Sequence, residues 1–479
     1  MQHSTHDSNP IANSLPAPAW RRREILQAML AGAAGAAFSP WSSAAQPKVD
    51  AVGPHFAAQA KQIIVLYMSG GFSHVDSFDP KPKLSKDHDQ SIGMEARAMD
   101  AGQPKVERFL KAPLWKFRPN RHSGVEVSDL FPHIRDVIHQ AAVIRSMNSD
   151  HRDHGEATLQ LHTGSTTVAM PSLGAWLSYG LPTLNANLPS HVVIAEFLPY
   201  NGPQVWDANF LPAVHRGVRI LPGDEPLAHL EPRQPKALQN LEIDLLQELN
   251  QGHLSQRDID AQWAARSASF ATAKKLQDHA PEALDLSGES AETFKQYGAK
   301  PDDRRGYAAQ CIMARRLIER GVRFVEVIDS VGACRDNWDA AHRDVASHKK
   351  YAERVDQPAA ALLQDLKQRG LLDQTLVVFC TEFGRTPWAQ DGRGTKGRSH
   401  HPAAFSSWLA GAGVKPGVVH GVTDDIGDRV VDGMVHVHDF HATILHLLGL
   451  DHTRLTYRFS GRDFRLTDVH GHVVREILS

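Results

Sequence analysis

The sequence predicts an α/β fold, a three-layer sandwich around a mainly parallel sheet. Three observations carry this. Short continuous apolar runs end in glycine or acidic residues, as strands covered on both faces do. Helix-like stretches alternate with these runs, the mark of parallel βαβ units. Polar residues gather just beyond the runs, where open parallel sheets bind ligands.

Before the first strand, Trp20-Arg21-Arg22-Arg23 opens an apolar stretch over residues 25–38, and Ser43-Ala44-Ala45 supplies small residues for cleavage. The stretch is too short for a membrane-spanning helix. Arginines, a weakly hydrophobic core and small residues, in that order, predict a signal peptide of twin-arginine type over 1–45. The mature chain, 46–479, is then expected in the periplasm or outside the cell, with no transmembrane segment.

The first strand is read at 61–68, closed by Ser69-Gly70-Gly71. Shorter runs follow at 142–144 and 191–195. Residues 307–320 read as a helix stopped by Gly321, then a strand at 322–328. Residues 351–369 repeat the pattern, with Gly370 as the stop and a strand at 375–380. Between the halves, about 235–300, Leu238, Leu241, Leu245, Leu246 and Leu249 fall at helical spacing and predict a helical insertion packed on the sheet. Residues 81–119 read as a long surface excursion.

Composition narrows the function. The chain has 479 residues, with 52 Lys and Arg against 54 Asp and Glu. That balance argues against nucleic acid, whose binding needs a basic face. Three cysteines exclude a disulfide scaffold, and Cys380, inside a strand, reads as an inert packing residue. The 28 histidines point instead to a metal site of nitrogen and oxygen ligands.

Five strand exits on one predicted edge carry carboxylates, imidazoles or both. They are residues 69–80, 146–156, 329–342, 381–387 and 397–402. A loop Asp is more often a helix cap than a ligand. Five such clusters together favour metal-assisted hydrolysis.

Several of these stretches resemble one bacterial family. They are Gly70-Gly71-Phe72-Ser73-His74-Val75-Asp76-Ser77-Phe78-Asp79-Pro80-Lys81, residues 150–155, Glu382-Phe383-Gly384-Arg385-Thr386-Pro387, and residues 397–402, 437–449 and 461–468. The family is the exported domain-of-unknown-function 1501 family, called sulfatase-like and similar to the alkaline phosphatase superfamily. The resemblance runs from about residue 61 to the C-terminus. It implies an alkaline-phosphatase-like fold and one or two divalent ions, zinc or calcium, serving a phosphate or sulfate ester. Residues 154–164 are similar to the sulfatase nucleophile helix, and His154 stands ten residues before Gly164, in the nucleophile's register. No hydroxyl or thiol is there; Ser146 and Ser149 are off register. Glu382-Phe383 replaces the superfamily's Asp-His, and Ser399 stands where the family tends to have Asp.

The expectation is an exported metal-dependent hydrolase acting on a small-molecule or glycan ester. Asp76, Asp339, His342, Glu382, His400 and His401 are the candidate metal ligands, with His154 at the reacting centre. Arg385 and Arg398 are candidates for neutralising the ester's oxygens. The alternative is a non-catalytic periplasmic binding or scaffold protein that recognises anionic glycans.

Overall fold

The structure is a computed structural model that describes residues 52–95, 105–232, 234–255, 261–330 and 336–479. The leader expected at 1–45 lies outside the described residues. The central sheet comprises β1 (Gln62–Met68), β2 (Ala141–Asn148), β3 (His191–Ile194), β4 (Val218–Ile220), β5 (Phe324–Asp329), β6 (Thr375–Cys380), β7 (Phe405–Gly411), β8 (Val418–His420) and β9 (Val435–His436). Their order is β8-β2-β7-β6-β1-β5-β3-β4, with β9 also on β2. Every pairing is parallel except those of β7, which runs antiparallel to both β6 and β2.

That one reversed strand matters for the site. Phe405, at the start of β7, lies opposite Met147 near the end of β2. Residues 397–402 therefore enter the sheet at the edge where the parallel strands end.

Strand β1 is buried along its whole length, and its side chains serve two cores by simple alternation. Ile64, Leu66 and Met68 join one core, Ile63, Val65 and Tyr67 the other. Five helices matter here: α1 (His154–Thr163), α2 (Leu173–Gly180), α3 (Tyr307–Glu319), α4 (His348–Gln368) and α5 (Val437–Leu447). The first core is closed by α3 and α4, through residues such as Ile312, Leu317, Tyr351 and Leu362. The second is closed by α1, α2 and α5, through Leu161, Trp176 and Ile444. This is the three-layer sandwich expected from the apolar runs. Gly321 and Gly370 follow α3 and α4 at φ 82° and 67°, the left-handed conformation that ends a helix.

One expectation is corrected. The insertion helix Lys236–Ser255 does not lay its leucines on the sheet. Leu238, Leu241, Leu245, Leu246 and Leu249 are 38–66% exposed. The helix lies against its neighbour Ala261–Leu284 instead, and Ile243 and Leu246 line a cavity shared with Phe270 and Leu276. Helical spacing marks an apolar stripe but does not name its partner. The surface excursion over 81–119 carries secondary structure of its own among its described residues. Ser91–Glu95 pairs antiparallel with Lys105–Phe109, Phe117–Pro119 pairs antiparallel with Glu126–Ser128 just beyond the excursion, and Leu84 and Leu110 are buried.

Candidate metal centre

The site begins with a close backbone approach. Gly70, just past β1, has φ 112°, and a Cβ there would lie 2.5 Å from the Asp339 amide nitrogen. Only glycine lets the β1 exit and the Trp338–His342 turn meet this closely. The turn is pinned by the Trp338 indole N–H, which donates to Asp329 at 2.8 Å, and by Asn337 Oδ1, which accepts from the Asp339 N–H at 3.0 Å.

Glu382 follows β6 and is fully buried. Its carboxylate accepts from the Gly70 N–H at 2.8 Å, the Tyr67 hydroxyl at 3.0 Å and His154 Nδ1 at 2.7 Å. Burial opposes its ionisation, but these bonds and the charge on His154 hold its carboxyl below the usual range.

His154 opens α1 and is 8% exposed. Its ring lies flat against Tyr200, with centroids 4.2 Å apart and planes 6° apart, and Phe383 lies 4.7 Å away. With Nδ1 donating to Glu382, Nε2 points at Asp339, 2.9 Å from Oδ1. That nitrogen is buried and lacks a hydrogen bond of acceptable geometry. Burial pushes the imidazole's pKa down, but Asp339 and Glu382 more than reverse this and raise it.

His400 reaches the same oxygen, with Nε2 at 3.0 Å, while its Nδ1 lies 2.9 Å from the Arg152 carbonyl. A carbonyl only accepts, so the Nδ1 proton is assigned there and the Nε2 lone pair faces Asp339. Burial, with Arg385 nearby, pushes His400 down to about 4, so it is neutral at pH 7. Asp339 is ionised: burial opposes this, but His154, His400 and Arg385 hold it far below the usual range.

Two imidazole nitrogens thus converge on one anionic oxygen. A neutral Nε2 and a carboxylate oxygen at 3.0 Å repel unless a positive charge lies between them. The separations approach the roughly 3.3 Å edge of a tetrahedral site with bonds of about 2.0 Å. The ligand atoms of His154, Asp339 and His400 all lie within 4.8 Å of one another. The donor set therefore fits a divalent ion. A second such group, His151, Asp153 and Glu156, lies beside it and is more exposed.

The other sequence candidates fall in different places. His342 sits at the rim, half-exposed, with Nδ1 3.9 Å from Asp339 Oδ1. Glu382 stands behind His154 as its hydrogen-bond acceptor. Asp76 does not join the group: Arg398 lies 2.8 Å from its Oδ2, Ser73 donates at 2.6 Å and the Leu114 N–H at 3.0 Å. Arg398 is equally sealed, donating to the carbonyls of Thr386, Lys111 and Ala112, so it offers nothing to an ester. Arg385 is fully buried as well; it donates to the Gly70 and Gly71 carbonyls and holds Asp339 from behind at 2.9 Å. His401 turns away, with Nε2 2.7 Å from the Asp428 carbonyl and its ring stacked on His74.

Tyr67, Tyr200 and the Arg152 carbonyl were not anticipated. Tyr67 carried a faint signal, since a tyrosine ending a buried strand must find a partner for its hydroxyl. The other two carried none.

Residues 60–478 match the family described as a protein of unknown function, DUF1501. The chain belongs to that family. No curated protein matches this DUF1501 chain in sequence. Among solved structures it is similar to the lipoteichoic acid synthase LtaP from Listeria monocytogenes, at 8% identity over 89% of this chain and 78% of that one, with a TM-score of 0.39. It is similar also to the PsFucS1 sulfatase from Pseudoalteromonas sp., at 14% identity over 81% and 68%, TM-score 0.35. TAB5 alkaline phosphatase gives 9% identity over 83% and 99%, TM-score 0.33. Likeness this remote says nothing of what the DUF1501 chain acts on. Among its described residues no helix is long and apolar enough to cross a membrane.

Proposed function

We propose that this protein is an exported hydrolase of phosphate or sulfate esters that works with a divalent ion held by His154, Asp339 and His400. One observation carries the reading: two Nε2 atoms, each with its Nδ1 anchored elsewhere, face the same ionised carboxylate oxygen. A carboxylate or carbonyl behind a ligating imidazole is how metal sites fix ring orientation and raise ligand basicity. Two nitrogens and one oxygen suit zinc better than calcium, which prefers six to eight oxygens. Such an ion supplies Lewis acidity and acidifies a bound water.

The chain's own residues prepare the rest. Glu382 and the Arg152 carbonyl set both tautomers. Tyr200 and Phe383 fix the plane of the His154 ring and keep bulk water from it. Arg385 offsets the charge on Asp339 from the buried side. With Nδ1 protonated against Glu382 and the single Nε2 lone pair committed to the ion, His154 has none left to attack phosphorus or sulfur, so it acts as a ligand. The run of arginines, apolar core and small residues over 1–45 supports export by the twin-arginine route.

Aryl sulfates, phosphate monoesters and phosphodiesters should be assayed with the metal-loaded protein, before and after chelation. Turnover that chelation abolishes and zinc restores supports the reading. Stoichiometric metal with no turnover of any class favours a binding protein.

A further inference from the structure

The rim of the centre has two unlike sides. On one lie His151, Arg152, Asp153 and Glu156, polar and partly or fully exposed. On the other, the turn that follows β3 carries Phe197, Leu198 and Tyr200, with no charge between residues 197 and 201. Phe197 is 37% exposed and Leu198 46%, while Tyr200 of the same turn is stacked on His154. Leu221, one residue beyond the adjacent β4, is 42% exposed at the same sheet edge.

A single exposed leucine needs no explanation. Two large apolar side chains on a turn that touches a ligand imidazole, with a third at the same sheet edge, do. The turn is also held in shape. Ser330 Oγ donates to the Phe197 carbonyl at 3.0 Å, Arg219 to the Glu196 carbonyl at 2.7 Å, and Asn201 to the Gly155 carbonyl. Asn201 and Gly202 sit at φ 64° and 54°, and Pro199 is buried between the exposed tip and Tyr200. The backbone is fixed while apolar side chains face water, a pre-organised surface rather than a loose loop.

We propose that this turn is the subsite for the alcohol portion of the ester, and that it selects an apolar ring over a small or charged group. The proposal rests on the metal-centre reading above. An ester whose anionic group sits at His154, Asp339 and His400 has its alcohol portion beside one rim or the other. The Asp153 and Glu156 carboxylates disfavour further anionic groups on their side, with Arg152 offsetting part of that charge, whereas the Phe197–Leu198 side offers aromatic and aliphatic surface for a ring face.

Phenylphosphonate and methylphosphonate present the same anion and differ only in the ring. Titration calorimetry with the metal-loaded, full mature chain measures both. We expect phenylphosphonate to bind about tenfold more tightly, equivalent to about 1.4 kcal/mol. In a Phe197→Ser, Leu198→Ser double variant the ratio falls below about twofold, and in Phe197→Leu, which keeps an apolar side chain, most of it survives. Equal affinities in the parent chain, or an unchanged ratio in the double variant, overturn the subsite and leave the metal centre standing. If neither phosphonate binds, the metal-centre reading falls and the subsite with it.

Discussion

Replacing Glu382 by Gln tests how the buried carboxylate works. The change keeps the shape of the side chain but removes its charge. Glu382 accepts from Gly70, Tyr67 and His154, all within 2.7–3.0 Å. An amide oxygen can still take the Gly70 and His154 protons, and Tyr67 can rotate to accept from the amide nitrogen, so the fold is expected to survive. Alanine is a poorer probe, because it strands buried donors at about 1–3 kcal/mol each. What glutamine loses is the anion behind the imidazole. Loss of such a partner lowers metal affinity about 10- to 100-fold, or about 1.4–2.7 kcal/mol. Competition with a chromophoric chelator measures this directly. The pH dependence gives a second readout. In the metal-free protein, Asp339 and Glu382 raise the pKa of His154, so protons compete with the ion and affinity falls as pH drops through that raised value. Without the Glu382 charge the fall moves to lower pH. Affinity within twofold of the parent at every pH would refute the argument.

Three further outcomes follow from the same contacts. Arg398→Ala strands Asp76 without its counter-charge in a fully buried pair and is expected to cost about 3–5 kcal/mol of stability, read by denaturant unfolding, whereas the Asp76→Asn, Arg398→Met double variant costs less. Leu241→Ser with Leu249→Ser, on the exposed stripe of the insertion helix, is expected to change stability by no more than about 0.5 kcal/mol per site; a loss of several kcal/mol would mean that the stripe is packed. In the metal-free protein the depressed carboxyls of Asp339 and Glu382 add stability that is present above their unfolded pKa values and lost as pH falls through the folded ones, so melting temperature should drop on acidification, and less steeply in Asp339→Asn.

The sheet was legible because buried parallel strands are nearly pure apolar runs, and β1, β5 and β6 read that way. The shared edge was legible for residues 397–402 only through the polar cluster itself. Nothing local shows that β7 runs backward, and it is this reversal that brings His400 to the edge. Adjacent residues of an extended segment point to opposite faces, and His400 and His401 lie in one, paired with Arg385 and Gly384. One of the two could reach the centre, and the sequence does not say which. Asp76 and Arg398 illustrate another limit. Each looks like site chemistry alone, yet the fold pairs them with each other, and a contact across more than 300 residues leaves no local trace. The same holds for Tyr200, whose place against His154 depends on where the turn after β3 lands. The leucine stripe of Lys236–Ser255 shows that periodicity reports a face and not what covers it.

The most direct test of the metal centre is elemental analysis of the protein purified from its native compartment, alongside two variants of neighbouring histidines. The parent chain is expected to carry about one tightly held equivalent of a divalent metal, zinc by the donor set. His400→Ala should lose it, while His401→Ala, if folded by its melting curve, should keep it, because only His400 faces Asp339. A parent chain without stoichiometric metal, or a folded His400→Ala variant that retains it in full, would contradict the account.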